Sequence, residues 1–251
     1  MDNEKLPEQK IVIQNKFVKW FDNFWFYYKW QTIGVIFAVF VLTICIVQMV
    51  TKENPDITIL YAGPLSSSIS EENDVSNVFD SILPSDYNDD GEKITQLAIV
   101  TVYSEQQIKD KAAAAASSGM DISVNASTNS TELQKFDSLI ATGEYSVCFL
   151  DPWLYERVKV ANGFRKLSDV LGEVPEGAYD DYAVKLSDTN FGKYFSALGV
   201  FPEDTLVCLR VKGTISGFFH GDADETYAQA IGMFDAIVNF EYPEGYVPTE
   251  Y

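Results

Sequence analysis

The longest apolar run in the hydrophobic pattern lies near the start of the chain. Ile33–Val47 reads IGVIFAVFVLTICIV, and residues 31–50 carry no charge. A helix needs about 20 apolar residues to cross the hydrocarbon core of a bilayer. A buried helix of a soluble domain rarely has so long an apolar run between charged flanks. The pattern therefore predicts a transmembrane helix over 31–50.

The flanking charges predict how this helix is oriented. Thirty residues precede it, which is too long for a short cleaved leader and indicates an uncleaved signal anchor. Five lysines stand before the span, whereas Lys52 is the single cation among the twenty residues after it. Cationic segments stay in the cytoplasm. We therefore expect a single-pass protein of the cell membrane, with residues 1–30 cytoplasmic and residues 51–251 extracellular.

The cytoplasmic flank carries a stripe of aromatic residues at helical spacing. Its members are Phe17, Trp20, Phe21, Phe24, Trp25 and Tyr28. An amphipathic helix of this kind lies at the headgroup level of the lipid bilayer and leads into the span. The alternative is that residues 16–50 pack against the membrane segment of a partner protein.

The rest of the chain alternates between strand and helix patterns. Strands are predicted at 57–61, 94–103, 145–150 and 205–211, with a short extended stretch at 121–124. Helices are predicted at 71–83, 105–118, 131–142, 153–160 and 224–240, while 163–202 reads as irregular. Alternation with apolar strands predicts an α/β domain over 51–241, built on a mostly parallel sheet with helices on both faces. Residues 242–251 read as a loosely ordered tail.

Composition excludes several classes of function. The chain has 251 residues and a net charge of −19, and residues 51–251 hold 33 acids and 13 bases. Such an acidic domain is unsuited to nucleic acid, because phosphate binding needs clustered Lys and Arg. One histidine, His220, leaves little room for histidine-based catalysis or multi-histidine metal sites. Cys148 and Cys208 fall in predicted strands, either as small buried apolar residues or as a disulfide.

One segment resembles a known family. The motifs are Gly143-Glu144 after a helix, an apolar strand ending at Asp151, the helix 153–160, and the segment Gly163-Phe164-Arg165-Lys166-Leu167. Leu133–Leu171 thereby resembles the first lobe of extracellular solute-binding proteins of the type II periplasmic-binding fold, and the opening strand 57–61 matches as well. The resemblance implies the fold of one such lobe.

The chain departs from that family in two respects. About 200 residues lie outside the membrane, which is short for two lobes, and a transmembrane helix replaces the lipid anchor usual in transport receptors. A single lobe that has lost or reduced its partner lobe is expected to have lost the ligand too. The resemblance therefore implies the fold more strongly than transport.

A second motif indicates calcium. Asp86-Tyr87-Asn88-Asp89-Asp90-Gly91-Glu92 fits the first half of a calcium loop, D-x-[DN]-x-[DN]-G. The predicted ligands are the side chains of Asp86, Asn88 and Asp90 and the carbonyl of Glu92. Leu97 stands where an EF-hand needs a bidentate glutamate, so a helix-loop-helix hand is excluded. The alternative is a polar turn, since Asn, Asp and Gly favour turns in any case.

Candidate ligand-binding residues follow the predicted strands, because ligands of open α/β sheets bind outside the carboxyl ends of the strands. They are Tyr61, Ser66, Ser67, Tyr103, Asp151 and Trp153. Aromatic rings with one carboxylate suit a neutral or cationic small organic solute, such as a sugar or a peptide. In the alternative interpretation, Asp151 caps its helix and Trp153 packs beneath it.

Two functional classes remain. The first is a non-catalytic, membrane-anchored extracellular binding or accessory domain with a calcium-stabilised loop. The second is a structural or assembly protein of a membrane complex, without a small-molecule pocket. No convergent set of acid and base groups in the sequence indicates an enzyme.

The predicted orientation is tested by thiol labelling in intact cells. A cysteine placed at Ser130 should react with a maleimide that does not cross membranes, whereas one placed at Asn3 should not, because five lysines hold the N-terminus inside. Labelling of the N-terminal probe alone would contradict the orientation.

Overall fold

The computed structural model describes residues 15–50, 55–65, 67–118, 124–213 and 223–246. The chain divides into two units, residues 1–53 and 54–251. The first contains α1, a single helix at Lys16–Val50. Among the described residues, α1 is the one helix long and apolar enough to cross a membrane. The predicted apolar helix is thus confirmed, and no break separates it from the aromatic segment before it.

The second unit is built on an open sheet of five strands within the described residues. They are β1 (Ile57–Gly63), β2 (Thr95–Thr101), β3 (Val147–Leu150), β4 (Ala183–Lys185) and β5 (Leu206–Leu209). Their order across the sheet is β2-β1-β3-β5-β4. β1 pairs in parallel with both β2 and β3, whereas β5 runs antiparallel to both β3 and β4. The sheet is therefore mixed, which corrects the mostly parallel sheet expected from the sequence.

Helices connect the strands. They are α2 (Ile69–Ile82), α3 (Glu105–Ser117), α4 (Ala126–Thr142), α5 (Pro152–Val160), α6 (Leu167–Leu171), α7 (Asn190–Tyr194) and α8 (Ala223–Val238). Capping boxes start α2 and α3, where Ser68 pairs with Glu71 and Ser104 pairs with Gln107. Gly143, in a left-handed conformation, ends α4.

Several boundaries differ from those predicted. α4 begins five residues earlier than 131, because the side chain of Asn125 caps it by accepting bonds from the main-chain N–H groups of Ser127 and Thr128. Residues 163–202, expected to be irregular, contain α6, β4, α7 and two short 3₁₀ helices. The extended stretch predicted at 121–124 lies, apart from Val124, outside the described residues. In the predicted tail, the rings of Tyr242 and Tyr246 stack with centroids 5.0 Å apart.

Apolar layers cover both faces of the sheet, as predicted. On one face, Phe79 of α2 lies with its ring centroid 5.3 Å from that of Phe149 in β3, and α7 and α8 complete this layer. On the other face, Phe136 of α4 and Tyr155 of α5 pack over Leu60 and Leu150. Each strand therefore contributes alternate residues to two different cores, which explains why β1 and β3 are almost continuously apolar.

Candidate functional site

The carboxyl ends of three parallel strands meet at one edge of the sheet. Gly63, Thr101 and Leu150 end β1, β2 and β3, and the N-termini of α2, α3 and α5 follow after short turns. β5 runs in the opposite direction, so its first residue, Leu206, pairs with Leu150 at this same edge. The order β2-β1-β3 places the topological switch point between β1 and β3, where open α/β sheets bind their ligands.

Tyr61 reaches this edge from inside the core. Its side chain is fully buried, its ring stacks on Phe201, and its hydroxyl donates to the carbonyl oxygen of Pro64 at 3.3 Å. A Cβ at Gly63 would lie 2.9 Å from that hydroxyl and 3.0 Å from Cβ of Asp151. Glycine at 63 therefore allows Tyr61 and Asp151 to approach each other. Burial raises the pKa of Tyr61, and the carboxylates of Asp151 and Asp204 add to the rise.

Asp151 joins α5 to α3. Its Oδ1 accepts a bond from the main-chain N–H of Trp153 at 3.1 Å, and its Oδ2 accepts one from Nε2 of Gln107 at 2.6 Å. The residue is 4% exposed. Burial raises the pKa of Asp151, the bonds from Trp153 and Gln107 oppose the rise, and Asp204 adds to it. Asp151 is thus a helix cap held against a second helix.

Trp153 lies on the opposite face of the sheet from Tyr61. It is half-buried against the core layer that contains Leu154 and Tyr155, and its Nε1 is enclosed without a hydrogen-bond partner in the structure. The ring of Tyr61 belongs to the other layer. The edge of the sheet therefore brings Tyr61 and Asp151 together, while Trp153 packs against the core layer on the other face.

The remaining predicted binding residues have partners of their own. The hydroxyl of Ser67 donates to Oε1 of Glu72 at 2.7 Å, and Ser66 lies outside the described residues. The main chain of Tyr103 is held by both ends of the Asn129 amide, at 2.8 and 2.9 Å. Nζ of Lys111 donates to the Tyr103 hydroxyl at 2.9 Å and lies 4.5 Å from its ring centroid.

Tyr103 borders a cleft of about 420 Å³ between the end of β2 and the start of α4. Its polar lining consists of Thr101, Asn125, Thr128, Asn129, Glu132 and Lys135. This volume lies within the range of about 300–1,000 Å³ typical of small-molecule sites. Amide, hydroxyl and charged groups beside a tyrosine ring suit a polar solute.

A second cleft, of about 540 Å³, lies at the C-terminal end of α5. Its lining includes Lys159, Arg165 and Lys166 together with Glu156 and Asp169. Nζ of Lys159 lies 2.7 Å from Oδ2 of Asp180 and 3.5 Å from Oε1 of Glu156. Lys159 is therefore balanced by acids, and Phe164, Arg165 and Lys166 of the 163–167 motif also line this cleft.

The predicted calcium loop is a turn anchored by the residue that precedes β1. Asp56 holds it, with Oδ1 accepting from the N–H groups of Tyr87 and Asn88 at 2.6 and 3.0 Å and Oδ2 accepting from that of Ile94 at 3.0 Å. Asp89 and Gly91 have φ angles of +56° and +93°. Asp tolerates this left-handed region and Gly enters it without cost, which accounts for the residue types at these positions.

The predicted calcium ligands bond to main-chain groups of the same loop. Asp86 Oδ2 accepts from Gly91 N–H at 2.8 Å, Asn88 Oδ1 from Asp90 N–H at 3.0 Å, and Asp90 Oδ1 from Glu92 N–H at 3.0 Å. Oδ1 of Asp86 is buried and has no hydrogen-bond partner. Within the described ranges, no three His, Cys, Asp or Glu side chains are grouped closely enough to hold a metal. A cation here would therefore need Asn88, a main-chain carbonyl and water as further ligands.

The structure adds residues that the sequence did not single out. Gln107 bonds to Asp151, Asn129 fixes Tyr103, and Asp56 fixes the 86–94 segment. Gln107 had a recognisable signal, because it is the fourth residue of the capping box that begins at Ser104. Asn129 and Asp56 had none, since their partners lie 26 and 31 residues away along the chain.

Comparison of the chain with protein-family models, curated proteins and solved structures finds no match. The candidate site therefore rests on its own geometry.

Asp151→Asn tests the electrostatics of the edge. The raised pKa of Asp151 means that the folded state binds its proton more tightly than the unfolded state does. Its contribution to stability is therefore largest below the ordinary Asp pKa of about 3.9 and falls as pH rises through the folded-state pKa. Asn keeps a capping side chain without the ionisation. Urea unfolding of the full chain in detergent should show wild type losing stability relative to Asp151→Asn as pH rises above about 4. A difference that is constant with pH would contradict this assignment.

Proposed function

We propose that the protein is a single-pass, membrane-anchored extracellular binding domain without catalytic activity. Its ligand is a neutral or cationic small organic solute, such as a sugar or a peptide. The observation that carries the proposal is the convergence of three strand ends and three helix N-termini at one edge, with the switch point between β1 and β3. The apolar helix α1 supplies the anchor.

The proposed binding pocket is the cleft beside Tyr103, at the carboxyl end of β2 and one strand away from the switch point. The Tyr103 ring offers a stacking surface beside Nζ of Lys111, and the Glu132 carboxylate, 3.8 Å from Nζ of Lys135, offers hydrogen-bond acceptors. The surrounding domain is strongly acidic, so its field attracts cations and repels anions. The Asn129 amide holds the main chain of Tyr103 at the mouth of the cleft, which positions the ring before a ligand arrives.

The resemblance to one lobe of type II solute-binding proteins agrees with this proposal. The segment that carries it, Leu133–Leu171, includes α5, β3 and most of α4. The proposal goes no further than binding, because a lobe-like fold hosts several functions.

The binding function is tested by thermal unfolding of the full chain in nanodiscs. The Tm is measured with and without neutral sugars, short peptides and basic peptides. A solute at a hundredfold excess over its Kd stabilises the folded state by about 2.7 kcal/mol. For a domain of this size, this raises the Tm by about 5–10 °C. Tyr103→Leu should weaken binding of that solute about tenfold through loss of the ring surface.

Tyr182→Leu is the matched control, because Tyr182 is a half-buried tyrosine at the other cleft. Its response to the solute should equal that of wild type. An equal loss in both variants would place the ligand elsewhere. If no solute in the panel shifts the Tm, the binding proposal fails and the assembly function takes its place.

The assembly function has an observation of its own. α1 has 35 residues, which corresponds to a length of about 52 Å at 1.5 Å per residue. A bilayer measures about 40–45 Å including its headgroups. The rings of Phe17, Trp20 and Trp30 are 60–77% exposed in the structure. These side chains contact either the lipid headgroups or the membrane helix of a partner protein. If they contact a partner protein, α1 mediates assembly of a membrane complex.

The loop 86–92 is proposed to bind Ca²⁺ as a structural ion. The supporting observation is the enclosed Oδ1 of Asp86, a carboxylate oxygen without a donor. Burying such an oxygen is costly unless a cation or a donor satisfies it. Ca²⁺ accepts oxygen ligands in flexible geometry, including amide and main-chain carbonyl oxygens. Bound there, the ion would hold the turn that leads into β2.

Chelation tests the calcium proposal. Adding EDTA should lower the Tm of the full chain by about 5–10 °C relative to millimolar Ca²⁺, since an ion bound only to the folded state stabilises it. Asp86→Asn together with Asp90→Asn should abolish this response. Asp89→Asn is the control, because Asp89 lies at a non-ligand position of the loop motif and Asn also tolerates its left-handed backbone. Identical melting curves with EDTA and with Ca²⁺ would leave only a polar turn.

A further inference from the structure

Two cysteines of the α/β unit lie directly opposite each other on neighbouring strands. Cys148 in β3 and Cys208 in β5 are register partners, and both side chains belong to the same core layer. They are the only cysteines in residues 51–251, because the third, Cys45, lies in α1. Sixty residues separate them along the chain, so the fold alone brings them together.

The ladder between β3 and β5 sets the distance between these cysteines. The N–H of Arg210 donates to the carbonyl of Ser146 at 2.8 Å, so the Ser146–Arg210 pair is a hydrogen-bonded pair of the ladder. Such pairs alternate along antiparallel strands, so Cys148 and Cys208, two residues further on, form another, with Cα atoms about 5.5 Å apart. Disulfides form over Cα separations of about 4.4–6.8 Å. The spacing is therefore compatible with a bond.

The position of the sulfur atoms agrees with this spacing. Sγ of Cys208 lies 3.6 Å from the carbonyl oxygen of Cys148, its register partner. Sγ of Cys148 is 3.9 Å from the carbonyl oxygen of Tyr145. Both groups are thiols in the structure.

We propose that Cys148 and Cys208 form a cross-strand disulfide that fastens β5 to β3 in the exported protein. The step is thiol–disulfide exchange with a disulfide-bearing oxidant. The two cysteine thiols lose two protons and two electrons to form one S–S bond, and the disulfide of the oxidant is reduced to two thiols. Extracellular compartments are oxidising, which allows such a bond to persist.

The bond forms before the sheet closes. Both residues are fully buried in the folded domain, and burial raises the pKa of Cys148 to about 12 and that of Cys208 well above its ordinary value. Only the thiolate attacks a disulfide, so the thiols of the folded domain are inert. Oxidation therefore takes place in the unfolded or partly folded chain, and the later pairing of β3 with β5 shields the bond.

Refolding with glutathione tests this proposal independently of which side of the membrane the domain occupies. The full chain with Cys45→Ser is unfolded in urea with detergent and then diluted into a mixture of oxidised and reduced glutathione. It is next denatured and alkylated with and without a phosphine reductant, and its peptides are analysed by mass spectrometry. We expect one intramolecular Cys148–Cys208 bond, seen as a loss of about 2 Da and a linked peptide pair. Two alkylatable thiols, or two glutathione adducts without the linked pair, would overturn the proposal.

Thermal unfolding supplies the second measurement. Adding the reductant during unfolding should lower the Tm of the oxidised chain by about 5–10 °C, because the bond closes a long loop in the unfolded state. Cys208→Ala in the same background should show no reductant effect. An equal shift in this control would assign the effect to the reductant and count against the bond.

Discussion

The pairing of β1 between β2 and β3 governs the rest of the α/β unit. All but one of its seven residues are buried, and it pairs in parallel with β2 on one side and β3 on the other. Parallel neighbours require crossover connections, so α2 and the α3–α4 segment must pass over the sheet to reach them. The same constraint brings the ends of β1, β2 and β3 to a single edge. The candidate site is therefore a consequence of how β1 is paired.

The direction of β5 adds a further residue to the edge at which β3 ends. After α5, the chain passes through α6, β4 and α7 and returns to pair with β3 in the antiparallel sense. Asp204 consequently lies at the edge where β3 ends, close enough for its charge to raise the pKa values of both Tyr61 and Asp151. β4 completes the sheet on the far side of β5 with only three residues. A short edge strand of this kind offers little to pair with another chain.

Local signals in the sequence were sufficient for the elements but not for their arrangement. Apolar β-branched runs located β1, β2, β3 and β5, and the helix predicted at 105–118 matches α3 to within one residue. The direction of β5 depends on contacts between segments about sixty residues apart, which no local pattern records. β4 was missed because Ala183–Lys185 is too short to show alternation. Tyr61 was expected at a ligand site, but its aromatic neighbour Phe201, 140 positions away, covers its ring.

The acidic residues illustrate how to separate structural carboxylates from candidate ligands in a chain of net charge −19. Asp56 accepts three main-chain bonds, Asp80 accepts two from Thr95, and Asp151 accepts one from each of two helices. These carboxylate oxygens accept hydrogen bonds from protein groups instead of from water, so their burial needs no cation. Oδ1 of Asp86 differs, because it is enclosed and has no donor. The number of acidic residues is therefore a poor guide to a metal site, whereas an enclosed carboxylate oxygen without a donor, as at Asp86, is informative.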